Sequence, residues 1–187
     1  MTTIVGIAGS LRKGSFNAGL LRAAVRSMPA GSTLETASIA GIPLYDADVE
    51  AQGIPLLVAN LKDRVAAADG LLLVTPEYNN SMPGVLKNAI DWLSRPDGDI
   101  PRVFGGKRVA LIGASLSGFG TILSQNAWLP VFKTLGSALW TGGRLLVSHA
   151  GSVFDAQGNL VDDKVRESLR GFLAGFVGYV RSQGGGQ

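Results

Sequence analysis

At 187 residues, with 46% hydrophobic and 17% charged side chains, the chain can bury the core of one domain and is too apolar to be intrinsically disordered. It has no cysteine and one histidine, which excludes disulfides, thiolate nucleophiles, Fe–S clusters and cysteine zinc sites and argues against any resident metal. The net charge of +3 suits anionic ligands such as phosphates, but no Lys/Arg run or basic–aromatic interleaving marks a nucleic-acid surface. No apolar run approaches the roughly 18 residues of a membrane span. Met1 leads directly into a β-like run without a basic leader, so the expectation is a cytoplasmic protein.

Thr3 to Gly9 (TIVGIAG) is a short apolar run closed by glycine, the pattern of a buried parallel strand. Leu20, Leu21, Ala24, Val25 and Met28 then recur at helical spacing, with Ser15 as N-cap and Pro29 as stop. Thr33 to Ile39 alternates as a second strand, and Leu56 to Ala68 reads as a helix after a loop containing Pro43 and Pro55. Gly70 to Thr75 (GLLLVT) is apolar throughout, as burial on both faces demands. Val85, Leu86, Ala89, Ile90 and Leu93 form the next helical stripe, begun by Ser81 and Pro83, with Trp92 packed beside it. Lys107 to Gly113 is a fourth strand. Phe119 to Leu139 reads as mainly helical, with a kink or break at Pro130. Arg144 to His149 is a fifth strand. Val165, Leu169, Phe172, Leu173, Phe176 and Val180 form a closing amphipathic helix capped by Asp162 or Asp163. One domain over residues 1–183 is expected, followed by a disordered Gly-rich tail at 184–187.

Five strands alternating with five helices imply a parallel α/β sheet covered on both faces, because parallel strands need crossover connections. Ligands of such sheets bind outside the carboxyl ends of the strands, at a switch in strand order. Three loops occupy such positions. Gly9 to Asn17 (GSLRKGSFN) offers the short hydrogen-bonding side chains of Ser10, Ser15 and Asn17, the guanidinium of Arg12 and a helix N-terminus, a combination suited to a terminal phosphate. Asn17 shares the helical face of Leu20 and Leu21, so it points inward and needs a partner. The P-loop pattern fails here, since Ser15 and Phe16 stand where lysine and a hydroxyl residue are required, and no G-x-G-x-x-G follows the first strand. The second loop, Pro76 to Ser81, turns abruptly from apolar strand to charge, aromatic ring and amides. Gly113 to Thr121 (GASLSGFGT) combines glycines with hydroxyls at the end of the fourth strand.

These three segments, GSLRKGSFN at 9–17, PEYNNSMPGVLKNAIDW at 76–92 and GASLSGFGT at 113–121, resemble the NADPH-dependent FMN reductases, which include bacterial chromate/quinone reductases and related azoreductases. The resemblance covers the first two-thirds of the chain and implies a flavodoxin-like three-layer sandwich with strand order 2-1-3-4-5. It implies FMN across the three loops, with Ser10, Arg12, Ser15 and Asn17 at the phosphate and Phe16 beside them. Pro76, Glu77, Tyr78 and Asn79 would line the isoalloxazine, largely through backbone groups, and Ser115, Leu116, Ser117 and Gly118 would complete the ring site. NADPH or NADH would be the co-substrate, and quinones, azo compounds, metal oxyanions or flavins the electron acceptors, in two half-reactions at one pocket. No side chain is nominated as acid or base, since the cofactor carries the chemistry. A homodimer or homotetramer is the usual assembly of this family. The chain departs from its relatives at Leu116-Ser117, where they often have proline–glycine, and at 124–130, where they carry a basic, histidine-containing stretch.

Two other functional classes fit the sequence less well. An FMN-binding electron carrier without NAD(P)H turnover would typically be acidic, against the charge found here. A serine hydrolase built on Ser115 lacks G-x-S-x-G, and no Asp or Glu lies between Ser115 and His149, so His149 is expected to be a structural residue at a strand end. Trp128, Phe132, Leu139 and Trp140 suit either an oligomer surface or the core.

Overall fold

The computed structural model describes residues 1–184; Gly184 closes the last helix, and 185–187, the rest of the expected disordered tail, lie outside the described residues. Strand side chains alternate between faces, and in β1 (Thr2–Ala8) both faces are apolar and covered: Ile4 enters one core, Val5 and Ile7 another. At the edge, β2 (Ser32–Ala37) buries only Leu34 and Ala37. β3 (Gly70–Val74) is buried throughout, with Leu72 and Val74 beside Ile4 and with Leu71 and Leu73 beside Val5 and Ile7. β4 (Arg108–Ala114) repeats the division, Ala110 and Ile112 on the first side and Val109 and Leu111 on the second.

Helices α1 (Phe16–Arg26), α2 (Ala47–Ala51), α3 (Leu56–Ala67), α4 (Gly84–Leu93), α5 (Ile100–Val103), α6 (Ile122–Thr134), α7 (Ala150–Val153) and α8 (Asp163–Gly184) follow in chain order. The first sheet face is covered by α1 and α8 through Leu20, Leu21, Ala24, Phe172 and Phe176. The second is covered by α3, α4 and α6 through Leu61, Leu86, Ile90, Trp92, Trp128 and Phe132. Burying each such large apolar side chain stabilises the domain by roughly 1.5–3 kcal/mol. Strands pair in parallel in the order β2-β1-β3-β4-β5, the flavodoxin-like order. No helix among the described residues is long and apolar enough to cross a membrane.

The fifth strand position departs from the expected continuous run. It is filled by β5 (Ala138–Leu139) and β6 (Leu145–Val147), both parallel to β4, with residues 140–144 bulging out opposite Ala110 and Leu111. Trp140 opens the excursion. Its indole turns back onto Phe172 and Phe176, at ring separations of 4.7 and 5.8 Å, and Gly142 and Gly143 pass so close over it that a Cβ on either would come within 2.6 and 2.8 Å. Trp128 and Phe132 are likewise core residues, fully buried.

The expected long helix to Leu139 also ends earlier, at Thr134. Gly136, in the left-handed region at φ 74°, terminates it, and Ser137 N–H returns to Phe132 O at 2.9 Å. Pro130 leaves α6 unbroken, since it stands on the exposed side where the freed carbonyl can meet water. Ser81 does not cap α4, which starts after Pro83 without a side-chain cap; it closes a turn with Tyr78 instead. Asp162, of the two candidates, caps α8, accepting from Val165 N–H at 2.9 Å.

Candidate functional site

Strand order reverses between β1 and β3, and the loops that follow β1, β3 and β4 meet at that point. Together they line a cleft of about 400 Å³. Loop one contributes Ser10, Arg12, Ser15, Phe16 and Asn17, loop two Pro76, Glu77 and Tyr78, and loop three Ala114, Ser115 and Leu116. The close approach of the first two loops requires glycine at position 9, where a Cβ would lie 2.7 Å from Leu86 and 3.0 Å from Pro76.

The phosphate-suited end lies at the start of α1. Ser15 is its N-cap, the Oγ accepting from Ala18 N–H at 3.3 Å. The other N–H groups of that first turn have no intrahelical acceptor, which makes the turn a ready anion site. The Arg12 guanidinium lies 5.3 Å from the centre of the Phe16 ring. On the far side of this pair lies a second cavity of about 540 Å³, edged by Lys13, Arg22 and Asp155 but reached by neither loop two nor loop three.

Asn17 has the inward orientation its helical face demands, and its partner is backbone. Asn17 Nδ2 donates to Ala114 O at 2.8 Å, and Ala114 N–H donates to Asn17 Oδ1 at 2.9 Å. The amide therefore ties loop one to loop three. Tyr78 crosses in the other direction, its hydroxyl 3.4 Å from Ser10 Oγ.

Asn79, Ser117 and Gly118 are not among the residues that line this cleft. Asn79 and Asn80 have φ of 49° and 61° and form a tight turn closed by reciprocal 3.0 Å bonds between the backbones of Tyr78 and Ser81. Asn79 is thus a turn residue, exposed beyond the pocket wall. Ser117 hydrogen-bonds Ser115, and its carbonyl accepts from His149 N–H at 3.1 Å, while Gly118 lies against the His149 ring. His149 sits past the end of β6 at φ 49°, and Ala150 N–H bonds Ser115 O at 3.0 Å, so this corner braces loop three from behind.

Some residues that hold the site were missed from sequence. Thr75, fully buried at the end of β3, lies 2.8 Å from Ser124 Oγ and accepts from Trp128 Nε1 at 3.1 Å. A hydroxyl closing the apolar run GLLLVT signals a buried partner, although its identity is not legible. No group of His, Asp or Glu among the described residues could hold a metal.

Residues 2–152 match the family described as NADPH-dependent FMN reductase. An NAD(P)H-dependent FMN reductase of Pseudomonas aeruginosa is 44% identical over 178 residues, covering 95% of each chain. A 2-hydroxy-1,4-benzoquinone reductase of a Burkholderia species is 40% identical over 180 residues, covering 96% of this chain and 97% of the relative. Among solved structures, a flavoenzyme NAD(P)H:(acceptor) oxidoreductase from Paracoccus denitrificans superposes with a TM-score of 0.87 at 32% identity, over 97% and 98% of the two chains.

Proposed function

The chain belongs to the NADPH-dependent FMN reductase family, and from that premise we propose that FMN lies across the three-loop cleft and that each loop has a separate task. The protein is an NAD(P)H-dependent oxidoreductase that reduces quinone-type and related small acceptors through FMN. The chemistry FMN supplies when bound is acceptance of a hydride from the nicotinamide and delivery of electrons to the acceptor.

The residues present fit that group. Ser10, Arg12 and Ser15, with the first-turn N–H groups of α1, hold the phosphate; Arg12 supplies the charge and the helix supplies directed donors. Asn17 keeps loop one in register with Ala114. Pro76, Glu77 and Tyr78 form one wall of the ring site, and Ser115 with Leu116 the other. Tyr78, Leu116 and Phe119 are exposed around this part of the molecule, an apolar surround that favours flat aromatic acceptors such as quinones over hydrated oxyanions. Assembly as a homodimer or homotetramer and a cytoplasmic location belong to the same reading, as the family resemblance implies.

The observation that carries this reading is the convergence of the three motif loops on one cleft at the switch in strand order. It is tested by steady-state oxidation of NADPH with added FMN and a benzoquinone. Turnover that requires both additions is expected, and FMN binding without turnover would contradict it.

A further inference from the structure

The first-turn N–H groups of a helix need acceptors from outside it, and α6 does not provide its own. Thr121 precedes the helix but makes no side-chain cap bond; its Oγ1 instead accepts from Gln125 Nε2 at 3.1 Å. The acceptor comes from loop two. Glu77 Oε2 takes hydrogen bonds from Leu123 N–H at 2.9 Å and Ser124 N–H at 3.0 Å. A carboxylate at a helix N-terminus is favoured by the dipole, and bonds to a charged acceptor are the stronger kind.

We propose that Glu77 is a positioning residue of the flavin cleft, fastening loop two to the N-terminus of α6 and so fixing where Pro76 and Tyr78 stand. The inference rests on the FMN reading of the cleft. Pro76 is held from both sides, because Thr75 below it bonds the Ser124 side chain and Glu77 above it bonds the Ser124 backbone. Beyond Glu77 the chain enters the self-closed turn from Tyr78 to Ser81, whose one hydrogen bond to loop one among the described residues is the long Tyr78–Ser10 contact. Pro76 O also accepts from Thr75 Oγ1 at 3.1 Å, so the cleft-facing part of loop two is attached below through Thr75 and above through Glu77, the one of the two whose charged group reaches the helix terminus. Since α6 begins where loop three ends, the same carboxylate couples the two walls of the ring site.

The test compares Glu77→Ala and Glu77→Gln with the wild type. Three readouts are used: FMN affinity, visible circular dichroism of FMN at saturation, and amide exchange at Leu123 and Ser124 without FMN. The glutamine carbonyl can still accept both N–H bonds, so Glu77→Gln should bind FMN within about threefold of wild type and keep the wild-type spectrum. Glu77→Ala should bind about tenfold more weakly, alter the spectrum at saturation and expose both amides to exchange. Wild-type behaviour of the alanine variant would overturn the proposal. So would equal loss of FMN affinity in both variants with Leu123 and Ser124 still protected, which would mean that the carboxylate contacts the ligand. If the alanine variant does not fold, the glutamine variant decides: retained affinity and protection support the proposal, and their loss overturns it. A wild type that binds no FMN would sink the flavin reading itself, a distinct result.

Discussion

Asn17 and Ala114 exchange two hydrogen bonds, of 2.8 and 2.9 Å, across 97 residues of sequence. One buried amide thereby sets the spacing between the loop that begins α1 and the loop that ends β4. Replacing Asn17 by alanine strands a buried donor and a buried acceptor, at a cost of about 2–4 kcal/mol. Asn17→Asp keeps an acceptor for Ala114 N–H but places an oxygen against Ala114 O, so it too should destabilise the FMN-free protein. Urea unfolding checks this; a residue serving only the phosphate would leave both variants as stable as wild type.

Gly136 ends α6 at φ 74°, and no atom lies within 4 Å of where its Cβ would be. Gly136→Ala should therefore cost about 1–2 kcal/mol through the backbone alone. FMN affinity should be unchanged, since the glycine lies at the opposite end of α6 from the cleft. Thermal unfolding and an FMN titration of the same variant check the two halves of this expectation.

Burial pushes the Lys107 ammonium below the usual lysine value of 10.5, although its Nζ bonds the carbonyls of Ala66 and Ala68. Between that lowered value and 10.5 the unfolded chain retains a proton that the folded chain has released. Stability contributed by this group therefore rises with pH through the window, and below it the cost of the buried charge is fully present. The stability of wild type relative to Lys107→Met, from urea midpoints, should increase as pH approaches 10.5. A pH-independent difference would refute the linkage.

Tyr78 is about half exposed beside the cleft, and among the described residues its hydroxyl makes only the 3.4 Å contact with Ser10. Its contribution to acceptor binding should come from the ring. Tyr78→Phe should leave the quinone KM within about twofold, while Tyr78→Ala should raise it by about tenfold, in line with loss of an aromatic contact. Steady-state kinetics at saturating NADPH distinguish the two.

Much of the fold was legible because the buried parallel strands carry unbroken apolar runs, as in GLLLVT at 70–75, and the helices carry clear stripes. The cleft was legible too, since each of its three loops follows such a run. Its internal ties were not. Asn17 and Glu77 both bond backbone groups, of Ala114 and of Leu123 and Ser124, and backbone partners leave no side-chain signature. Asn79-Asn80 suggested amides for a ligand edge, and the sequence did not show that the pair also supplies the positive φ of a tight turn. The end of α6 at Gly136 carried its glycine signal, but the apolar residues up to Leu139 mask it by continuing into β5. At the break in the fifth strand Trp140 turns back onto α8, a tertiary contact that strand propensity does not encode.

The central claim, that this cleft binds FMN with Arg12 at the phosphate, is tested most directly by titrating FMN and riboflavin against wild type and Arg12→Ala. Riboflavin shares the ring system and lacks the phosphate. The wild type should prefer FMN by about tenfold or more, the alanine variant should lose most of that preference, and riboflavin affinity should be the same in both. Equal affinities of the wild type for the two flavins, or an undiminished preference in Arg12→Ala, would contradict the account.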